Sequence, residues 1–241
     1  MISYNRPDER RIAHEMKDLW ELLTPTQQAL LANSWSVCKY KKNEPIYRCG
    51  EEPTSLLCLI SGKVKIYSDG YDAFSHGYPN RPIINRVLRP GQYFGYRAYL
   101  EGSSYITCAS AIEEAVIVSV PMFVICNILD ENNRLARLFL KMMAADLGTA
   151  DKRLLCLTQK HVRGRLADTL LFLYNIYGVE IDGKTLNLKI SREDLAGLSN
   201  MTTSNAIRTL SNFKDEGVIA ISGKKLEILC LDDLEHISKN G

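Results

Sequence analysis

Three side chains near the C-terminal end combine two hydroxyls with a guanidinium: Thr203, Ser204 and Arg208. On a helix they fall one turn apart on adjoining faces. A guanidinium is a rigid donor fork that pairs bidentately with O6 and N7 of guanine, and short hydroxyls bond to any base edge. Ser191, Arg192 and Thr202 lie just upstream, and Lys224 and Lys225 follow downstream. Short hydroxyls, helix N-termini and basic side chains are the usual partners of phosphate oxygens. The set points to reading base edges and gripping a phosphate backbone, not to making bonds. The sequence contains no Gly-rich phosphate loop, no H-E-x-x-H, no nucleophile elbow and no paired catalytic Cys and His. No enzymatic activity is expected from it.

Two short helices must hold those residues. In 190–213, I-S-R-E-D-L-A-G-L-S-N-M-T-T-S-N-A-I-R-T-L-S-N-F, Ser191 stands at an N-cap with Asp194 three residues on. At that spacing each side chain can bond an orphan backbone N–H. Leu195 and Leu198 share one face, and Ala196 is small where two helices would cross. Asn200 falls at the turn, where a left-handed backbone suits it. Thr202 caps a second helix with an apolar stripe of Ala206, Ile207, Leu210 and Phe213. That leaves Thr203, Ser204 and Arg208 outward near the N-terminal end, the part of a recognition helix that reaches base edges. Two alternating apolar runs at 218–221 and 226–231 flank Ser222-Gly223-Lys224-Lys225, a hairpin with a basic tip. Helix, turn, helix and hairpin make a winged helix-turn-helix.

The whole chain has 241 residues, 46% hydrophobic and 24% charged, enough for one large or two ordinary domains with ample core. Formal net charge is only +2, and from Lys160 onward eleven Lys and Arg face eleven Asp and Glu. A positive surface must therefore come from placement, with Lys160, Arg163, Arg165, Arg192, Arg208, Lys224 and Lys225 as candidates. The N-terminus lacks a charged region followed by an apolar core, and no apolar run approaches about 18 residues. Neither export nor membrane spanning is expected, and the expected location is cytoplasmic. The seven Cys are odd in number, and no C-x-x-C occurs. Reduced thiols are expected rather than a disulfide framework.

Residues 1–36 are polar and helix-prone, with Leu19, Leu22, Leu23, Leu30 and Leu31 able to dock on a surface. Short β-like runs then follow at 37–40, 56–60, 64–67, 83–88, 105–109 and 115–120. Gly50, Ser61-Gly62, Pro90-Gly91 and Glu101-Gly102 supply turns between them. That texture predicts an antiparallel barrel or roll. The Gly- and Pro-broken stretch 68–82 reads as a long hairpin loop. From 131 to 157 the period becomes helical. Leu140, Met143, Leu147, Ala150, Leu154 and Leu157 alternate spacings of three and four, the seam of a coiled coil. A second stripe, Leu135, Leu138, Met142 and Ala145, lies on a neighbouring face. One stripe can pack on the roll and the other on a second copy of the chain. A further helix is predicted over 162–177, with Leu166, Leu170, Leu173 and Tyr174 inward.

The fold class is thus α+β: an N-terminal antiparallel β-roll (a double-stranded β-helix, jelly-roll-like), a long dimerisation helix and a C-terminal winged helix-turn-helix. The expected domains are 1–130, 131–158 and 159–241. This order resembles the Crp/Fnr superfamily of bacterial transcription regulators. The resemblance covers nearly the whole chain. It rests on Gly50-Glu51, Gly62-Lys63-Val64, P-G-Q-Y-F-G at 90–95, R-L-A-D-T-L-L at 165–171, and I-S-R-E-D-L-A followed by I-R-T-L. It implies a homodimer, a signal-sensing roll, a recognition helix in the major groove of a near-palindromic operator, and RNA polymerase as a partner. By residue-wise match it puts Thr203, Ser204 and Arg208 at base-reading positions, and Ser191, Arg192 and Thr202 at phosphates. Thr203 and Ser204 depart from the Arg-Glu or Glu-Ser patterns common there, so no target sequence carries over.

The sensing pocket departs further. Cyclic-nucleotide binders of this superfamily use G-E for the ribose and R-S for the phosphate. Here the pairs are Gly95-Tyr96 and Ser103-Ser104. With no cation facing the phosphate, an anion would be buried uncompensated, so cyclic AMP is not the expected ligand. Tyr96, Arg97, Ser103, Ser104 and Thr107 are the candidates for another small effector, and equally for plain filling of the roll. No metal site and no resident cofactor are expected. The clustered N-terminal Cys of the iron–sulfur members are missing. A haem- or redox-sensing member stays open as an alternative, with His76 in the long loop as the nearest axial candidate. So does a module whose C-terminal part docks a protein, which would show apolar residues at 203, 204 and 208.

Overall fold

The computed structural model describes residues 9–68 and 82–240. His76 and all but the ends of the expected 68–82 loop lie outside the described residues. Helices α1 (Glu9–Glu15), α2 (Lys17–Trp20) and α3 (Pro25–Ser34) precede strands β1 (Ser36–Tyr40), β2 (Pro45–Tyr47), β3 (Ser55–Ser61) and β4 (Val64–Ser68). Strands β5 (Ile83–Leu88) and β6 (Tyr93–Phe94), the short helix α4 (Tyr96–Glu101), and strands β7 (Cys108–Ala111) and β8 (Ala115–Pro121) follow. They form two four-stranded sheets, ordered β1-β8-β3-β6 and β2-β7-β4-β5. The ladders joining β1 to β8, β8 to β3, β3 to β6, β2 to β7 and β7 to β4 are antiparallel. This is the expected jelly-roll-like architecture.

Leu57, Leu59, Phe94, Ala115 and Ile117 from one sheet meet Tyr47, Val64, Ile66, Leu88, Ala109 and Ala111 from the other in a single core. The opposite face of the first sheet is also covered. Leu56, Cys58, Ile60, Val118 and Val120 pack with Ile12, Met16, Leu19, Leu23 and Leu31 of the N-terminal helices. Strand β3 is therefore buried on both faces, and its L-L-C-L-I reads as an unbroken apolar run instead of alternating. Leu30 departs from the expected docking set and is 44% exposed. At the β3–β4 turn Gly62 has φ +87°, and a Cβ there would sit 2.2 Å from the Glu114 carbonyl oxygen. Only glycine fits.

The sequence reading missed β2, β6 and α4, and it placed the start of β7 at 105 instead of Cys108. Tyr96 and Arg97 both lie on α4, whose N-cap is Gly95 at φ +82°. Helix α5 (Met122–Glu131) was missed too. The long helix α6 (Asn133–Gln159) begins after a break at Asn132 rather than at 131. Asn132 Oδ1 accepts the N–H groups of Arg134 and Leu135, each at 3.1 Å. Its amide donates to the Leu22 carbonyl at 2.9 Å and to Gln27 Oε1 at 3.0 Å.

One face of α6 packs on the roll through Leu135, Leu138, Phe139, Met142 and Met143. Two expectations change here. Phe139 supplies the inner contact assigned to Ala145, which is exposed, and Met143 turns toward the roll core rather than belonging wholly to the outer seam. Asp146 on the same helix accepts from Arg86 Nη1 of β5 at 2.6 Å.

Beyond α6 come α7 (Val162–Tyr177), α8 (Arg192–Leu198), α9 (Thr203–Asp215), β9 (Ile219–Ser222), β10 (Lys225–Ile228) and α10 (Leu231–Asn240). Leu231 begins α10, where the sequence reading had it end a strand. Of the described residues, 9–68 and 85–146 form one compact unit and 82–84 with 147–240 the other, so the division falls inside α6 and near the start of β5. Among the described residues no helix is long and apolar enough to cross a membrane.

Candidate nucleic-acid interface

Local capping sets the helix pair. Ser191 Oγ accepts the Asp194 N–H at 3.0 Å and donates to the Asp194 carboxylate at 2.8 Å. Asn200 takes φ +47°, the left-handed backbone that turns the chain. Thr202 Oγ1 accepts the Asn205 N–H at 2.9 Å and starts α9. Each such cap contributes about 1 kcal/mol. Leu195, Ala196 and Leu198 of α8 are buried, as are Ala206, Leu210 and Phe213 of α9. Away from the turn, Arg153 of α6 donates from Nη2 to the Leu198 carbonyl at 2.9 Å and holds the last turn of α8. Ser199 donates to Thr169 of α7 at 2.8 Å in a buried bond.

Ile207 corrects the expected stripe. It is 51% exposed, while Thr209, 8% exposed, takes the inward place. The outward face of α9 thus carries half-buried Thr203, exposed Ser204, exposed Ile207 and exposed Arg208. Arg208 Nη2 donates to Asn205 Oδ1 at 2.9 Å, which steadies the guanidinium along the helix surface. An apolar side chain set between hydroxyls and a guanidinium suits the C5-methyl of thymine.

The hairpin forms with Ser222 opposite Lys225, so Gly223 and Lys224 make the turn, with Gly223 at φ +59°. Lys224 is exposed. Lys225 instead bonds Glu180 at 2.8 Å, a partner that raises its pKa above the usual lysine value. Arg192 also turns inward. Its Nη2 donates to the Gly223 carbonyl at 2.9 Å, Nη1 is covered with no hydrogen-bond partner among the described residues, and desolvation lowers its pKa. It braces the wing turn from the start of α8. Lys160 is held by Asp168 at 2.7 Å. Arg163 forks onto Glu216, with Nη1 to Oε1 at 2.7 Å, and lies 4.8 Å from the Phe213 ring centroid. Much of the basic set thus positions the recognition helix and wing, and Arg208 and Lys224 are the members left fully at the surface.

The effector candidates in the roll sit in different environments. Tyr96 is 1% exposed and packs edge-on against Phe139 at 5.3 Å, and burial pushes its phenol up to about 12. Arg97 is exposed. Ser103 donates to Glu101 at 3.2 Å and Ser104 to Glu52 at 2.9 Å. Thr107 is half-buried. Tyr105, which the sequence reading did not single out, sits inside the roll with its ring stacked on Tyr47 at 3.9 Å.

Residues 37–132 match the cyclic nucleotide-binding domain, and residues 164–237 match the Crp-like helix-turn-helix domain. The chain belongs to the Crp/Fnr superfamily. Among its curated relatives, it is 29% identical over 204 residues to the transcriptional regulator LdrP of Thermus thermophilus, covering 82% of this chain and 94% of that one. It is 26% identical over 192 residues to the global nitrogen regulator of a Nostoc species, covering 78% and 83%. The solved structure of FixK2 from Bradyrhizobium japonicum shares the fold, with a TM-score of 0.72 at 24% identity over 84% of this chain and 96% of that one. In this Crp/Fnr protein the helix-turn-helix match opens inside α7 and closes inside α10, so it takes in α8, α9 and the wing. The protein is a DNA-binding regulator of Crp/Fnr type with a cyclic-nucleotide-binding-like domain.

Proposed function

We propose that this chain is a cytoplasmic homodimer that reads a near-palindromic operator with α9 and acts on transcription through RNA polymerase, without cyclic AMP. The observation that carries the reading is α9 itself. It is capped at Thr202, braced at both ends, and presents Thr203, Ser204, Ile207 and Arg208 together. Thr202, Ser191 and Lys224 touch phosphate, and Arg192 and Lys225 hold the wing in place. A titration of duplex DNA at several salt concentrations tests this. The logarithm of the binding constant is expected to fall linearly with the logarithm of salt concentration as counterions are released. Affinity independent of salt would contradict it. Lys224→Ala should lower the slope by about one. Lys225→Ala should leave it nearly unchanged, because Glu180 already neutralises that ammonium. Equal loss from both would place Lys225 on the phosphate.

The dimer reading rests on α6, where Leu140, Leu147 and Leu154 recur every seven residues and are 65%, 65% and 61% exposed. Ala150 and Leu157 complete the outward seam, with Met143 at its edge. Two features support independence of cyclic AMP: Tyr96 and Ser103-Ser104 stand where the family's cyclic-nucleotide binders carry the ribose acceptor and phosphate cation, and the Tyr47–Tyr105 stack lies beside Phe94 inside the roll. Calorimetry with millimolar cyclic AMP is expected to show no saturable heat. Micromolar affinity would overturn this and point to Arg97 as the substitute cation.

A further inference from the structure

Asn205 stands between the cap of α9 and the guanidinium at its surface. Its backbone N–H donates to Thr202 Oγ1 at 2.9 Å, and its side-chain Oδ1 accepts Arg208 Nη2 at 2.9 Å. Thr202, Asn205 and Arg208 follow one another at intervals of three, so the two bonds run along one edge of the helix. The direction of the second bond is fixed by chemistry. Arginine carries donors only, so the oxygen end of the amide must be the one that faces it. An amide that reads adenine uses both ends on one base, its oxygen taking the N6 hydrogen and its NH2 group reaching N7. Asn205 is half-buried and directs its oxygen along the helix at Arg208, so it does not present both ends to a base. Arg208 keeps its own reading capacity. One hydrogen of Nη2 goes to Asn205, and the other still pairs with Nη1 or with Nε as a two-donor edge.

We propose that Asn205 is a positioning residue for base recognition: it holds the Arg208 guanidinium with one two-donor edge free for O6 and N7 of guanine, and it does not itself read a base. The inference rests on α9 as the reading helix, as proposed above. A long surface side chain gives up rotamer freedom when it meets a partner, and one already held in place gives up less. The contribution of Asn205 therefore shows as preference for guanine over other bases, not as affinity for DNA in general. The bond to Thr202 uses the Asn205 backbone N–H, so replacing the side chain leaves the cap of α9 in place.

The test is a set of binding titrations of the full-length protein on duplexes that it selects from a random pool, each then varied one base pair at a time. Asn205→Ala is expected to cut the preference for guanine at the Arg208 position roughly threefold to tenfold, the worth of one exposed charge-assisted hydrogen bond. Binding to duplexes already altered at that pair should stay nearly the same. In an Arg208→Ala background the same change should have no further effect at that pair. Asn205→Asp keeps an acceptor for Nη2, so it should retain the guanine preference while weakening all duplexes alike, because a carboxylate is set near phosphates. Preference lost at a separate adenine, with the guanine preference intact, would make Asn205 a reader and overturn the proposal. Effects of Asn205→Ala and Arg208→Ala that simply add would overturn it too, while leaving Arg208 as the reader. If Arg208→Ala itself leaves every preference in place, base reading by Arg208 is refuted and the proposal falls with it.

Discussion

Leu147→Asp combined with Leu154→Asp is expected to turn the protein from a dimer into a monomer at micromolar concentration. Both leucines stand out from α6, at 65% and 61% exposure, one heptad apart and in line with Leu140. Burying a leucine side chain contributes about 1.5–3 kcal/mol, and a twofold seam counts each position twice. The variant loses that burial and sets four carboxylates against one another in a desolvated seam, where an unpaired charge is strongly destabilising. The fold of each chain should survive, because neither residue belongs to the roll core. Sedimentation read with far-ultraviolet circular dichroism checks both halves: monomer mass with native helical signal. A dimer that persists would place the interface elsewhere.

The second large effect concerns base reading. Arg208→Ala is expected to remove about 1–3 kcal/mol of discrimination at one base pair in each half-site, roughly fivefold to 150-fold. Binding to sequences already altered at that pair should change little. The guanidinium is at the surface of α9 and among the described residues bonds Asn205 in an exposed contact, so truncation leaves no buried partner stranded. Ile207→Ala on the same panel should lose preference at a thymine and not at the guanine. Uniform weakening across every operator variant by Arg208→Ala would make it a phosphate contact instead of a reader.

The helix-turn-helix was legible because its determinants are local. Ser191, Asn200 and Thr202 each act within three residues of themselves, and all three behave as their types dictate. Ile207 was legible in principle. At roughly 100° per residue, Ala206, Leu210 and Phe213 cluster in a narrow arc, with Ile207 well outside it and Thr209 nearer. The residue type of Ile207 points inward, but its angle on the helix points outward. Other features depend on partners distant in sequence. The charge of Lys225 is spent on Glu180, 45 residues away, and Arg163 on Glu216, 53 residues away. No local pattern announces either pair, so the basic face looked richer than it is. The roll was read from its turns, while β2 and β6 were too short to show a period. The Tyr47–Tyr105 stack joins residues that nothing in their immediate sequence brings together.

Selection from a randomised pool of duplex DNA by the full-length protein reads out both the symmetry and the base preference of binding. The expected result is enrichment of a near-palindrome with half-sites about 10 base pairs apart, each containing a guanine whose enrichment disappears in Arg208→Ala. A pool that emerges unenriched, or enriched for one unsymmetric element indifferent to Arg208, would contradict it.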